Sequence, residues 1–262
     1  MTPVLVFDIE TVPDVAGLRR LNDWPAELSD ALVAERGFAQ RLEKTGREFM
    51  PLHLQQVVAI SCVFRDRDGL RVRSLGSEED GEAKLIGDFY RTIEKYTPQI
   101  VSWNGGGFDL PVLHYRSLVH RVVALRYWDL GEEDREFKYN NYISRYHSRH
   151  LDLMDVLAMY QGRASAPLDE LAKLCGFPGK LGMDGSQVWH AYAAGQLAEI
   201  RNYCETDVMN TWLVYCRFQL LRGALSVAAY EEEMTLARAM LGARGEPHWR
   251  EFLAAWSNER TA

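Results

Sequence analysis

Hydrophobic and polar positions change period several times along this chain, and each change predicts an element. Val4-Leu5-Val6-Phe7 runs straight into Asp8, Ile9, Glu10 and Thr11. This short apolar run, bounded by Pro3 and Pro13, reads as a buried central strand. Residues 14–53 mix charges with Leu28, Leu32, Val33, Phe38 and Leu42 at near-helical spacing. They predict one or two surface helices and then a loop around Pro51. So long an excursion between strands is unusual. It reads either as a partly mobile cover near a substrate groove or as a structural layer over the sheet edge. Val57–Phe64 is a second strand, Arg65–Gly69 a turn and Leu70–Leu75 a third strand, together an antiparallel hairpin. Leu85, Ile86, Phe89, Ile93 and Tyr96 mark one face of a helix over 82–96, stopped by Pro98. Gln99–Trp103 is a fourth strand. Strand, insert, hairpin, helix, strand is the order of a mixed α/β sheet, not of a strictly alternating βαβ chain.

The fourth strand ends in Asn104-Gly105-Gly106-Gly107-Phe108-Asp109, where three glycines permit a sharp turn and close backbone approach to another molecule. A helix over 110–119 follows, with Pro111 tolerated in its first turn. Residues 120–150 are polar and irregular. Within them, 138–150 holds basic residues and three tyrosines with no acid. That is the composition of a single-strand groove, with Arg145 as a phosphate contact, and equally of a solvated loop. Leu151–Tyr160 reads as a short strand or helix start, and 168–174 as a helix. Gly179–Trp189 is a loop entering a helix, 197–221 is the most strongly helical segment, and Tyr230–Leu241 is another helix. The tail after Pro247 reads as peripheral. The expected organisation is a main domain over 1–225, carrying the insert 14–53, and a C-terminal helical extension over 226–262.

Composition narrows the function. The chain has 262 residues and a formal charge of -7. A protein that coats nucleic acid would be basic, so contact with phosphate must be local or assisted by metal. No apolar run is long enough to span a bilayer and no signal-peptide pattern opens the chain. Cys62, Cys175, Cys204 and Cys216 are scattered, with no CxxC pair. This argues against a zinc cage or disulfide framework and for a reducing cytoplasm.

Candidate chemistry begins at the first strand. Asp8 and Glu10, two apart, point to one face. Buried carboxylates need a positive partner, and no Lys or Arg lies nearby in sequence. Hard oxygen ligands suit Mg²⁺ or Mn²⁺; the plainer alternative is a strand ending in solvent. Asp109 sits near a helix N-terminus, as ligand or as N-cap. Tyr203 and Asp207, four apart, share a helix face.

Together, F-D-I-E-T at 7–11, N-G-G-G-F-D at 104–109 and Y-C-E-T-D at 203–207 resemble the DEDD superfamily of 3′→5′ exonucleases, in its tyrosine branch. The match is nearest to the proofreading exonuclease domain of family B DNA polymerases and its stand-alone bacterial relatives, and D-G-S-Q-V-W at 184–189 resembles the stand-alone group. The resemblance covers roughly residues 1–220 and leaves no room for polymerase palm, fingers or thumb. It implies a ribonuclease H-like fold, a mixed five-stranded sheet flanked by helices. It implies two divalent cations, Mg²⁺ or Mn²⁺, held by Asp8, Glu10, Asp109 and Asp207. Asp8 would bridge both ions, Glu10 and Asp207 serve the nucleophile side, and Asp109 the other, through water. Tyr203 would orient the attacking water, since a phenol is a poor base near neutrality. Thr11, Asn104 and Phe108 would meet the terminal nucleotide. Lys180 and Gln187 read as phosphate contacts or as solvated loop. Asp152 and Asp155 fall outside the matched motifs, and His147 and His150 read as structural or strand-contacting. The expected partner is the 3′ end of single-stranded DNA, with RNA second and no membrane. A non-catalytic nucleic-acid-binding module and a small-nucleotide hydrolase with a closed pocket remain open as different classes.

Overall fold

The computed structural model describes residues 2–256. Its five strands are β1 (Val4–Pro13), β2 (Gln55–Asp66), β3 (Gly69–Ser74), β4 (Gln99–Ser102) and β5 (His150–Asp152), in the sheet order β3-β2-β1-β4-β5. β1, β2 and β3 pair antiparallel, whereas β4 and β5 run parallel to β1. This is the mixed α/β sheet that the order of elements predicts and the ribonuclease H-like arrangement that the family resemblance implies.

Alternation along β1 sets the two layers. Leu5, Phe7 and Ile9 face a core shared with Leu85, Ile86 and Phe89 of a helix at Glu82–Tyr96 and with Val112 and Leu113 of one at Asp109–His120. Val6 faces the opposite core, built on the long helix Leu197–Leu221. By the same period of two, Asp8 and Glu10 belong to that second face. In chain order the helices are α1 (Val15–Asn22), α2 (Asp30–Thr45), α3 (Glu82–Tyr96), α4 (Asp109–His120), α5 (Leu125–Trp128), α6 (Leu153–Leu157), α7 (Leu168–Leu174), α8 (Val188–Ala193), α9 (Leu197–Leu221), α10 (Val227–Gly242) and α11 (Pro247–Ala255).

Three expectations need correction. As far as Trp256 the tail after Pro247 is core, not periphery, and residues 257–262 lie outside the described residues. Trp249 and Phe252 are fully buried against the α9–α10 layer, with Trp256 beside them. The 138–150 stretch is not a uniformly solvated loop. Tyr142 is buried, its hydroxyl donating to the Pro98 carbonyl at 2.6 Å and its ring stacked on Tyr127, while Arg149 lies 3.9 Å over the Phe137 ring. Tyr139 and Tyr146 are exposed. Finally, the triple glycine closes on the protein itself. A Cβ on Gly105 would sit 2.3 Å from the Ser102 hydroxyl oxygen, and the left-handed residue of the turn is Asn104, at φ 65°.

Candidate active site

The site forms where β4 stops. β4 pairs with β1 only as far as Val6↔Val101, so beyond Val6 that edge of β1 lies open. Asp109, the first residue of α4, takes the place of the missing strand: its Oδ1 accepts the Ile9 backbone N–H at 3.2 Å. Phe108, not Asp109, is the N-cap of α4, so the carboxylate of Asp109 is turned to β1. Asp8 and Glu10 stand on the α9 face of β1. α9 crosses there, with Tyr203, Cys204 and Asp207 against the strand. Oxygen atoms of Asp8 and Glu10 and the Cys204 sulfur lie within 4.8 Å of one another. The Cys204 thiol sits 3.5 Å from the Asp8 carbonyl and 3.6 Å from its carboxylate. Burial and the neighbouring acids push that thiol's pKa well up, so it stays protonated and donates; it does not ligate.

Four carboxylates from three distant segments thus share one buried region. Burial, and after it repulsion from Asp109 and Asp207, raises Asp8 well above the usual carboxylate range. Burial and then Asp8 and Asp207 do the same to Glu10. Asp109 is raised to about 7, chiefly by burial, and Asp207 is raised by burial despite Lys180. Lys180 is the cation that faces this group. Its Nζ donates to the Tyr203 hydroxyl at 2.7 Å and lies 3.6 Å from Asp207 Oδ2. The other Asp207 oxygen, Oδ1, is buried without a hydrogen-bond partner. Burial, with Asp207, Glu10 and Asp8 behind it, pushes the Tyr203 phenol up; it is therefore a hydrogen-bond donor at any ordinary pH and not a base.

An open cleft of about 450 Å³ gives access, lined by Asp8, Asn104, Lys180 and Asp207 among others. The donor set fits divalent cations on structural grounds. It is all hard oxygen, its charge is incompletely paired among the described residues, and one buried oxygen lacks a hydrogen-bond partner there.

Other expected residues fall at different distances from this centre. Asn104 lines the cleft and Phe108 lies beside it, its ring 5.8 Å from Phe49. The Thr11 hydroxyl donates to Gln55 Oε1 at 2.9 Å. Arg145 lies apart from the acids, beyond the Asn104 turn, where its guanidinium covers the Tyr160 ring at 5.1 Å. The Gln187 side chain accepts from the Asp184 N–H at 3.1 Å. His150 pairs with Ser102 Oγ at 2.9 Å and His147 Nδ1 accepts from Asn141 N–H at 2.9 Å, both structural.

Sequence reading missed the residues that hold the site in shape. Asp152 Oδ1 accepts the Asn104 N–H at 2.9 Å and Oδ2 the Gly106 N–H at 2.8 Å, while Oδ1 also caps α6. The Lys180 loop is pinned twice. Asn210 of α9 exchanges hydrogen bonds with the Gly179 N–H and carbonyl at 3.0 and 2.8 Å, and Asp169 of α7 accepts the Lys180 N–H at 2.6 Å. Gly179 sits at φ 69°, and a Cβ there would lie 2.5 Å from Asp169 Oδ1, so no other residue fits. Asn210, three residues beyond Asp207 and so on nearly the same face, was the one visible signal.

Residues 47–256 match a family described as predicted 3′-5′ exonucleases related to the exonuclease domain of PolB. The chain belongs to that family. Over 159 residues it is also 23% identical to a DNA polymerase of Archaeoglobus fulgidus, covering 57% of this chain and 20% of the polymerase. The chain thus spans about a fifth of that relative's length. The matched family range begins after Thr11, so Asp8 and Glu10 join the site through the geometry of β1. Among the described residues no helix is long and apolar enough to cross a membrane.

Proposed function

We propose that this protein shortens single-stranded DNA from its 3′ end, releasing nucleoside 5′-monophosphates with the help of two divalent cations, Mg²⁺ or Mn²⁺. The observation that carries the reading is the convergence of Asp8, Glu10, Asp109 and Asp207 beside Tyr203 and Lys180, with an Asp207 oxygen buried and unpartnered. On this reading Asp8, Glu10, Asp109 and Asp207 would hold the ions, Glu10 and Asp207 serving the nucleophile and Asp109 the leaving group. When bound, the ions supply Lewis-acid polarisation of the phosphate and a water of lowered pKa.

The chain's own groups do the positioning. Lys180 donates to the Tyr203 oxygen, and the phenolic O–H, which interacts with the Asp207 carboxyl, turns to orient the attacking water. The same ammonium offers positive charge to a phosphate oxygen entering the cleft. Asn104, on the cleft wall, has its backbone N–H committed to Asp152, so its amide is left to meet the terminal nucleotide, and Phe108 supplies an aromatic face for a base. The residues of 1–225 carry this chemistry, and the described part of the 226–262 extension, through α10 and α11, braces α9.

The test is incubation of 5′-labelled single- and double-stranded DNA and RNA with Mg²⁺, Mn²⁺ or EDTA. The expected result is a ladder shortening from the 3′ end of single-stranded DNA, with 5′-monophosphate products and no cleavage in EDTA. Full hydrolysis in EDTA, or internal cuts in a circular single strand, would overturn the mechanism. Faster cleavage of RNA would move the substrate to the second choice.

A further inference from the structure

A second cavity opens beside the acids, along β1 and Phe108. It holds about 930 Å³, a size that buries a whole small ligand. One wall is the insert, with Phe38 and Leu42 of α2 and then Phe49. The others are Phe108, Trp189 of α8, and the β1 residues Glu10 and Thr11. The cavity therefore meets the catalytic cleft along β1 and the second motif. Glu10 and Phe108 line it, while their near neighbours Asp8 and Asn104 line the cleft. Its roof, α2, lies outside the matched family range.

Two features define the occupant. The lining is largely apolar and aromatic, and Phe49 is 58% exposed at its mouth, tilted 51° against Phe108. The charged groups of its lining are the carboxylates Glu10, Glu35 and Glu48, and Arg41 stands behind Phe49, its Nε donating to the Phe49 carbonyl at 3.0 Å. Such a lining suits the π-face of a nucleobase better than a phosphate, and exocyclic amines donate well to carboxylates. We propose that this chamber takes the unpaired terminal bases of the substrate strand, that Phe49 is a specificity-determining residue which stacks on them, and that the α2 roof thereby confines the enzyme to single-stranded ends. The proposal rests on the exonuclease reading above. The phosphate backbone stays on the acid side, where cations hold it, and each base turns away from it into the chamber. A paired end carries its second strand where α2 lies.

The experiment uses single-stranded oligonucleotides with 2-aminopurine at the 3′ terminus or well upstream. They are bound by the full-length protein in Ca²⁺ and, separately, cleaved in Mg²⁺ or Mn²⁺. Fluorescence of the terminal probe should be quenched by the wild type and the upstream probe should not respond. Phe49→Ala should abolish that quench and weaken binding about 10-fold, as loss of one stacked base does. Phe49→Trp should restore both. Since Phe49 is mainly exposed, the alanine leaves the core untouched. The preference of the wild type for a single-stranded over a blunt duplex end should shrink by a similar factor in Phe49→Ala. Unchanged quench and affinity in Phe49→Ala, in a wild type that cleaves normally, would overturn the chamber and leave the nuclease reading standing. A wild type that quenches the terminal probe yet cleaves nothing would do the reverse.

Discussion

Two clusters of buried acids lie within this fold, and they are resolved in opposite ways. One joins Asp14, at the root of the insert, to Glu82 of α3. Arg116 of α4 grips Glu82 through both oxygens at 2.8 and 2.7 Å and also bonds Asp14. His120 reaches Glu82 at 2.6 Å, and the Val57 N–H adds a further bond at 2.7 Å. The chain answers its own charges there, and the result is a tie between α3, α4 and the insert. In the other, Asp8, Glu10, Asp109 and Asp207 have Lys180 against four carboxyls, and their pKa values rise. Paired buried charge marks a joint; incompletely paired buried charge marks a place where something from outside completes the structure.

Alanine at Asp207 should draw the sharpest line between the clusters. It should cut single-turnover cleavage on the order of 10³-fold, equivalent to several kcal/mol of lost charge stabilisation. The protein's melting temperature in EDTA should hold or rise, because a mutually repelling carboxyl has gone. A large loss of stability would place Asp207 among the structural acids. Arg116→Met should do the converse. Removing it strands Glu82 and Asp14, and denaturant unfolding should show a loss of about 3–5 kcal/mol, with the cleavage rate per folded molecule kept. Normal stability would mean that this joint is not held by its charges.

Tyr203→Phe keeps the ring and removes one hydroxyl. The slowing should be on the order of 10²-fold, in kcat and not in KM, with metal binding preserved, since the interaction is made mainly in the transition state. Cleavage at the wild-type rate would reduce the tyrosine to packing. The smallest effect concerns pH. With its carboxyl raised from 3.8 to about 7 in the fold, Asp109 binds a proton more tightly folded than unfolded. Its contribution to stability is therefore full below pH 3.8 and lost as pH rises through 7. In EDTA the protein should lose stability across that window, by at most about 1.4 kcal/mol per pH unit for one such group. Asp109→Asn should flatten the slope, which denaturant melts at stepped pH will resolve. A slope unchanged by the substitution would assign it to other groups.

Much of this was legible in the sequence, for reasons that differ by element. α7 and α9 were readable because their apolar spacing is unbroken and their ends are marked, and the helix at Glu82–Tyr96 was bounded by Pro98. The three acidic motifs were readable because each sits on a strand end, a turn or one helix face. What could not be read depends on distance in three dimensions. Asp152 becomes a clasp for the Asn104 turn only when β5 lies beside β4. Lys180 meets Tyr203 only because Asn210 and Asp169 hold its loop. The tail looked peripheral because a nine-residue amphipathic helix shows no partner in one dimension, yet Trp249 and Phe252 complete the core beneath α9. Tyr142 misled because burial, not composition, decides whether a tyrosine can stack on a base.

The central claim is that the incompletely paired acids are a site for divalent cations and the paired ones are not. Calorimetric titration of Mn²⁺ tests it most directly, carried out in parallel on the wild type, the double variant Asp8→Asn/Asp207→Asn, and Glu82→Gln. The account predicts binding of two ions to the wild type, loss of that binding in the double variant, and its retention in folded Glu82→Gln. Equal binding by the wild type and the double variant, or none by the wild type at millimolar Mn²⁺, would contradict it.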